Sequence, residues 1–220
     1  MQRHADNELN DLKSQLLSMA GLVEKAIDEV YLGMISKSST HFDDVSKYEK
    51  TINQMHSEVD ENCLRVLARQ APVASDLRLV LAVIKINNDL ERMGDQAINI
   101  AHNAREYMAE MVGEVPADFH EMKKQVRGMV KNALDAFVKQ DVTLCRQVLE
   151  NDDIVDDFRN RLVASLKDRM KQNPKEIDAC LNLIMIAKNM ERLADHATNI
   201  AEDVIFVVTG DDVRHGRSPE

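Results

Sequence analysis

An all-α fold made of two tandem three-helix bundles is what this sequence predicts, and three observations carry that expectation. Turn residues are scarce, apolar positions recur at helical spacing, and an eleven-residue motif late in the first half returns late in the second. The 220 residues include only 7 glycines and 4 prolines, while 44% are hydrophobic, enough to build a core without disulfides or metal staples.

The first helix is predicted from Leu9, Leu12, Leu16, Met19, Val23, Ala26 and Val30, which alternate at spacings of three and four and so fall on one stripe. After a polar break over Ser36 to Thr40, Val45, Ile52, Met55, Val59 and Val66 continue the rhythm until Ala71 and Pro72. Ser75 is the expected N-cap of a third helix, with Asp76 in its first turn. That helix runs through Ile86, Leu90, Met93, Ala97, Ile100 and Ala104. Leu77, Val80, Leu81 and Ile84 make its first half apolar nearly all round, so it is expected to be central and covered on several sides.

Gly113 and Pro116 mark the boundary between units, giving a first bundle over 1–113, a second over 114–210 and a polar tail over 211–220. The fourth helix carries Met122, Val126, Met129, Ala133 and Phe137. The fifth carries Leu144, Val148, Ile154, Phe158, Leu162 and Leu166 and closes at Asn173 and Pro174. The sixth runs from about Glu176 through Ile186, Met190, Leu193, Ala197 and Ile200 to Gly210, a residue suited to the position just past a helix. Val204 to Val208 is rich in strand formers but has no partner strand, so it stays with the sixth helix.

Charge and composition exclude several function classes. A net charge of −10, with no basic run, argues against nucleic acid as a partner, because phosphate binding rests on clustered Lys and Arg. Cys63, Cys145 and Cys180 lie far apart without C-x-x-C spacing, so neither a disulfide framework nor a zinc knuckle is signalled, and reduced thiols in a cytoplasm are expected. Met1 to Leu12 carries Asp6, Glu8 and Asp11 and cannot serve as a secretory signal. The longest apolar runs are far too short to span a bilayer.

Glu91 to Ala101 reads ERMGDQAINIA and Glu191 to Ala201 reads ERLADHATNIA, identical at seven of eleven positions. Within each copy, Glu91, Asp95 and Asn99, and likewise Glu191, Asp195 and Asn199, stand at i, i+4 and i+8 in one row, well away from the seam of Met93 and Ala97. Two oxygen-rich ridges on the bundle surface are expected. Like charges at i and i+4 destabilise a helix by about 0.2–0.5 kcal/mol, and a bound cation would reverse that sign. Carboxylates with a nearby amide suit a divalent ion such as Mg²⁺ or Mn²⁺, or iron. The alternative is that Arg92 and Arg192, three residues before each aspartate, neutralise the rows while the asparagines tie neighbouring helices together.

No glutamate is followed by histidine at the spacing of carboxylate-bridged dimetal bundles, and neither a glycine-rich phosphate loop nor a nucleophile elbow is present. A binding protein is expected rather than an enzyme. A metal-storage or metal-dependent hydrolytic helical protein is the competing class.

Together with the two motifs, ARQAPVASDLRLV from Ala68 to Val80, NDDIVDDF from Asn151 to Phe158 and VVTGDDVRH from Val207 to His215 resemble the PhoU family over nearly the whole length. The resemblance implies two three-helix bundles, pairing as a homodimer and no catalytic activity. It implies a cytoplasmic negative regulator of the phosphate regulon, linking the ATPase subunit of a phosphate ABC transporter to a membrane sensor histidine kinase. It also implies metal at E/D-x-x-x-D motifs, which Glu91 with Asp95 and Glu191 with Asp195 match. Asn151 departs from the family pattern, where an aspartate opens the fifth-helix motif, and Asp152 and Asp153 stand beside it.

Overall fold

The apolar stripes read from the sequence close into six α-helices, seen in a computed structural model that describes residues 4–70, 74–110, 114–211 and 213. In chain order these are α1 (His4–Ser36), α2 (Thr40–Gln70), α3 (Ala74–Ala109), α4 (Asp118–Lys139), α5 (Val142–Gln172) and α6 (Ile177–Thr209), with a 3₁₀ turn at Pro174–Glu176. The predicted stop at Ala71 and Pro72, the boundary glycine Gly113 and nearly all of the 211–220 tail lie outside the described residues.

Each described connection has a local cause. Lys37 adopts a φ of 54° after α1, and Ser38 N–H returns to Gly33 O at 3.2 Å. Gln140 takes the same left-handed geometry after α4, and Asp141 then caps α5 by accepting from Leu144 N–H at 3.1 Å. Pro174 ends α5, and Glu176 is tied back by Asn173 Nδ2 at 2.6 Å and by an ion pair with Arg169. Gly210, at a φ of 83°, stops α6 as its position in the sequence predicts. Ser75, however, is not a cap: α3 starts at Ala74, and Ser75 Oγ donates to Asp76 Oδ1 at 3.4 Å from within the first turn. The carboxylate of Asp76 compensates the exposed N–H groups there through charge instead.

Helices α1, α2 and α3 pack together, α4, α5 and α6 do the same, and the halves meet through α3 against α6 and α1 against α4. Exchanging α1–α3 for α4–α6 maps this pattern of neighbours onto itself, as duplication requires. All seven predicted seam residues of α1 are buried, and the buried side chains of both halves form one continuous cluster. Each fully buried Leu, Ile or Val contributes about 1.5–3 kcal/mol.

Helix α3 is central, touching α1, α2 and α6. Its first turns are nevertheless less covered than their composition suggests: Val80 is buried, but Leu77 is 39% and Leu81 is 45% exposed. The repeat equivalent of Leu81, Leu181 on α6, is exposed to a similar degree, at 49%, so the duplicated position faces outward in both halves. Among the described residues no helix is long and apolar enough to cross a membrane.

Candidate functional site

The antiparallel packing of α3 and α6 sets both acidic rows in place. Lys85 Nζ reaches Asp203 Oδ1 at 2.8 Å, and His196 Nδ1 donates to Asp89 Oδ1 at 2.8 Å, so the early part of α3 lies beside the late part of α6. Each row then faces the groove toward the second helix of its own half. Asn87 Nδ2, for example, donates to His56 O at 3.0 Å and to Asp60 Oδ1 at 2.9 Å across α2 and α3.

In the first row Glu91 and Asp95 are half-buried and Asn99 is exposed. Arg92 lies 3.5 Å from Glu91 and 3.6 Å from Asp95, and its own side chain is 63% exposed, so this pairing is worth little. The second row departs from the expected arrangement, because the guanidinium on it comes from α5. Arg159 Nη2 donates to Glu191 Oε1 at 3.1 Å and to Asp156 Oδ1 at 3.2 Å. Asn199 reaches across the seam, its Nδ2 donating to Asp89 Oδ1 at 3.4 Å, which is the helix-tying role named as the alternative for the asparagines.

Asp152 and Asp156 on α5 bring two more carboxylates to the second row. Burial pushes Asp152 up to about 6, helped by Asp195, Asp156, Asp153 and Glu191. Burial also raises Glu191, with Arg159 the leading opposing charge. Asp195 is raised by burial and by Asp156, against His196, Arg192 and Arg159. Four acids therefore share one edge of the α5/α6 groove.

Sequence reading found the α3 and α6 members of this site but not Arg159 or the pairing role of His196. Arg159 and Glu191 are far apart in the chain, and only helix packing makes them neighbours. Seven-residue spacing from Asp152 to Arg159 on one helix face was the available signal.

Whether the rows fit a metal ion depends on their donors. Among the described residues no three His, Cys, Asp or Glu side chains group closely enough to hold one, and an arginine stands on each row. Hard cations need several oxygens at about 2.0–2.6 Å. The side chains in this arrangement do not supply that set.

Comparisons with known proteins agree with the geometry of a duplicated six-helix chain. The family described as PhoU domain matches residues 16–104 and again 119–204, one match for each half. The chain is 41% identical over 211 residues to the Pseudomonas aeruginosa phosphate-specific transport system accessory protein PhoU homolog, covering 94% of this chain and 86% of that protein. It is 30% identical over 208 residues to the Escherichia coli phosphate-specific transport system accessory protein PhoU, covering 94% and 86%. The crystal structure of PhoU from Pseudomonas aeruginosa superposes with a TM-score of 0.87 at 40% identity, covering 94% of this chain and 99% of that one. The phosphate transport system regulatory protein PhoU from Streptococcus pneumoniae also gives 0.87, at 27% identity, covering 96% and 99%. With two consecutive family matches, near-complete alignment and a shared fold, this chain belongs to the PhoU family.

Proposed function

We propose that this protein is a cytoplasmic, non-catalytic regulatory adaptor of phosphate transport that holds the phosphate regulon off when phosphate is abundant. The observation that carries the reading is full-length similarity to accessory proteins of phosphate-specific transport systems. In this reading the chain works as a homodimer, peripheral to the membrane only through its partners. Those partners are the ATPase subunit of a phosphate ABC transporter and a sensor histidine kinase.

The duplicated rows suit such work. Acidic side chains on long helices present two related acidic rows to a basic surface on a partner. In the competing reading, Glu91, Asp95 and Asn99, with Glu191, Asp195 and Asn199, are the residues that would hold a divalent cation or iron, which requires the carboxylates to draw together as well as the arginines to move aside. Such an ion would supply charge neutralisation. The competing storage or hydrolytic reading needs a metal-dependent turnover.

Deleting the gene tests the leading reading. Phosphate-starvation genes are expected to be expressed in high phosphate in the deletion strain, and normal repression there refutes the adaptor role. In a complemented strain, Glu91→Lys with Asp95→Lys is expected to lose capture of the transporter ATPase and kinase from membranes while the fold persists by circular dichroism.

A further inference from the structure

The two repeats carry the same motif on their third helices but differ on their second. Val45, Ile52, Val59 and Cys63 of α2 are buried at the same spacing as Val148, Val155, Leu162 and Leu166 of α5. Met55 and Phe158 are partly buried against the core at equivalent points. This register is anchored by Ile52, which packs against Gly94 of α3. On it, Asp152, Asp156 and Arg159 of α5 correspond to Glu49, Asn53 and His56 of α2. Where the second half has a guanidinium, the first has an imidazole.

The two groups behave differently. His56 turns away from its acidic row, donating through Nε2 to Asn88 Oδ1 at 3.1 Å, with Asp60 at 3.8 Å on its own helix. Arg159 turns into its row, bridging α5 and α6 through Asp156 and Glu191. Its side chain is only 30% exposed, and its Nε is buried without a hydrogen-bond partner. Both contacts therefore run through one terminal nitrogen. Arginine stays protonated at any working pH, so this charge is always present.

We propose that Arg159 is the resident cation of the second acidic row and closes it to divalent metal ions, so that the two repeats are not equivalent toward cations. The inference rests on the reading in which the carboxylates of a row draw together around a cation. It departs from the family expectation for Glu191 and Asp195. A metal ion at the second row would have to share Asp156 and Glu191 with a guanidinium whose positive charge already stands 3.2 Å and 3.1 Å from one oxygen of each, so the two cations repel and compete for the same carboxylates. Arg159 is tethered on the same helix two turns from Asp152, so it competes at a high effective concentration. In the first row the arginine that pairs with Glu91 and Asp95 is largely solvent-exposed and yields more readily.

Mn²⁺ binding to the full-length protein, followed by loss of the free-ion electron paramagnetic resonance signal, tests this. Mn²⁺ uptake by the unsubstituted protein is expected to be unchanged by Glu191→Gln with Asp195→Asn. Arg159→Ala is expected to bind a further equivalent of Mn²⁺ per chain, which Glu191→Gln then removes. Arg159→Met, which keeps the aliphatic packing, serves where the alanine variant does not fold. The proposal is overturned if Glu191→Gln lowers uptake by the unsubstituted protein, or if neither Arg159 variant gains a site. Uptake removed by Glu91→Gln reports the first row alone, so failure of the cation reading there is distinguishable from failure of this inference.

Discussion

His196 on α6 and Asp89 on α3 form a 2.8 Å hydrogen bond across the seam that joins the two halves. The repeat-equivalent positions hold Gln96 and Asn189, neutral amides, and Asn189 Nδ2 donates to Met185 O instead. The duplication thus kept the seam and changed its chemistry on one side. Both His196 and Asp89 are mostly buried, with 20% and 15% of their side chains exposed. Asp89→Ala is accordingly expected to destabilise the protein by about 2 kcal/mol, because it leaves the imidazole N–H without its acceptor. Asn199→Ala, which removes a 3.4 Å contact at an exposed site, is expected to cost under about 0.5 kcal/mol. Urea unfolding followed by circular dichroism separates the two, and equal losses would show that the hydrogen bond is not what matters.

The carboxyl of Asp152 should make stability depend on pH. Its value is raised from 3.8 to about 6, first by burial and then by neighbouring acids. The folded state thus binds a proton more tightly than the unfolded chain. That contribution is complete below the unfolded value and is lost as pH rises through the folded one. Asp152→Asn, which mimics the protonated form, is expected to raise stability at pH 7.5 by about 1 kcal/mol, after allowance for solvent screening of a half-buried group. At pH 4 the variant and the unsubstituted protein should unfold alike. A difference that persists at pH 4 would assign the effect to packing rather than charge.

Helix positions were legible in the sequence because the apolar period of each helix is long and unbroken, and the repeat was legible because its motif survives almost intact in Glu91–Ala101 and Glu191–Ala201. The acidic rows followed from helix geometry alone, since i and i+4 share a face in any helix. What was not legible depends on the register between helices. Arg159 meets Glu191 only because α5 and α6 pack side by side, and His196 meets Asp89 only because α3 and α6 run antiparallel. Leu77 and Leu81 show the same limit: their apolar character was plain, but their exposure depends on which face of α3 the neighbouring helices cover.

Two glycines of α1 should respond in opposite ways to alanine. A Cβ on Gly33 would lie 2.5 Å and 2.8 Å from Phe42 ring atoms, and that ring is fully buried. The ring must shift to admit the methyl group, so Gly33→Ala is expected to cost about 1–3 kcal/mol through overpacking. A Cβ on Gly21 meets nothing within 4 Å. There alanine lowers the entropy of the unfolded chain and improves helix propensity, so Gly21→Ala is expected to stabilise by about 0.4–1 kcal/mol. Thermal unfolding of the two variants checks both signs, and destabilisation by Gly21→Ala would mean that this face of α1 is covered in solution.

The buried thiols should be unreactive while the fold holds. Burial, with Asp60 nearby, pushes Cys63 up to about 12, and burial with Asp141 pushes Cys145 up to about 11. At pH 8 the thiolate fractions are then roughly one in ten thousand and one in a thousand, against about a quarter for a free cysteine. Iodoacetamide is therefore expected to leave both unlabelled in the native protein over hours and to label them promptly in urea, as read by mass spectrometry of the peptides. Cys63 sits on the core-facing side of α2, so native labelling of Cys63 without Cys145 would reveal local opening of α2 away from α3. That opening would also expose the groove lined by His56 and Asp60, which makes thiol labelling a direct monitor of the first row's mobility.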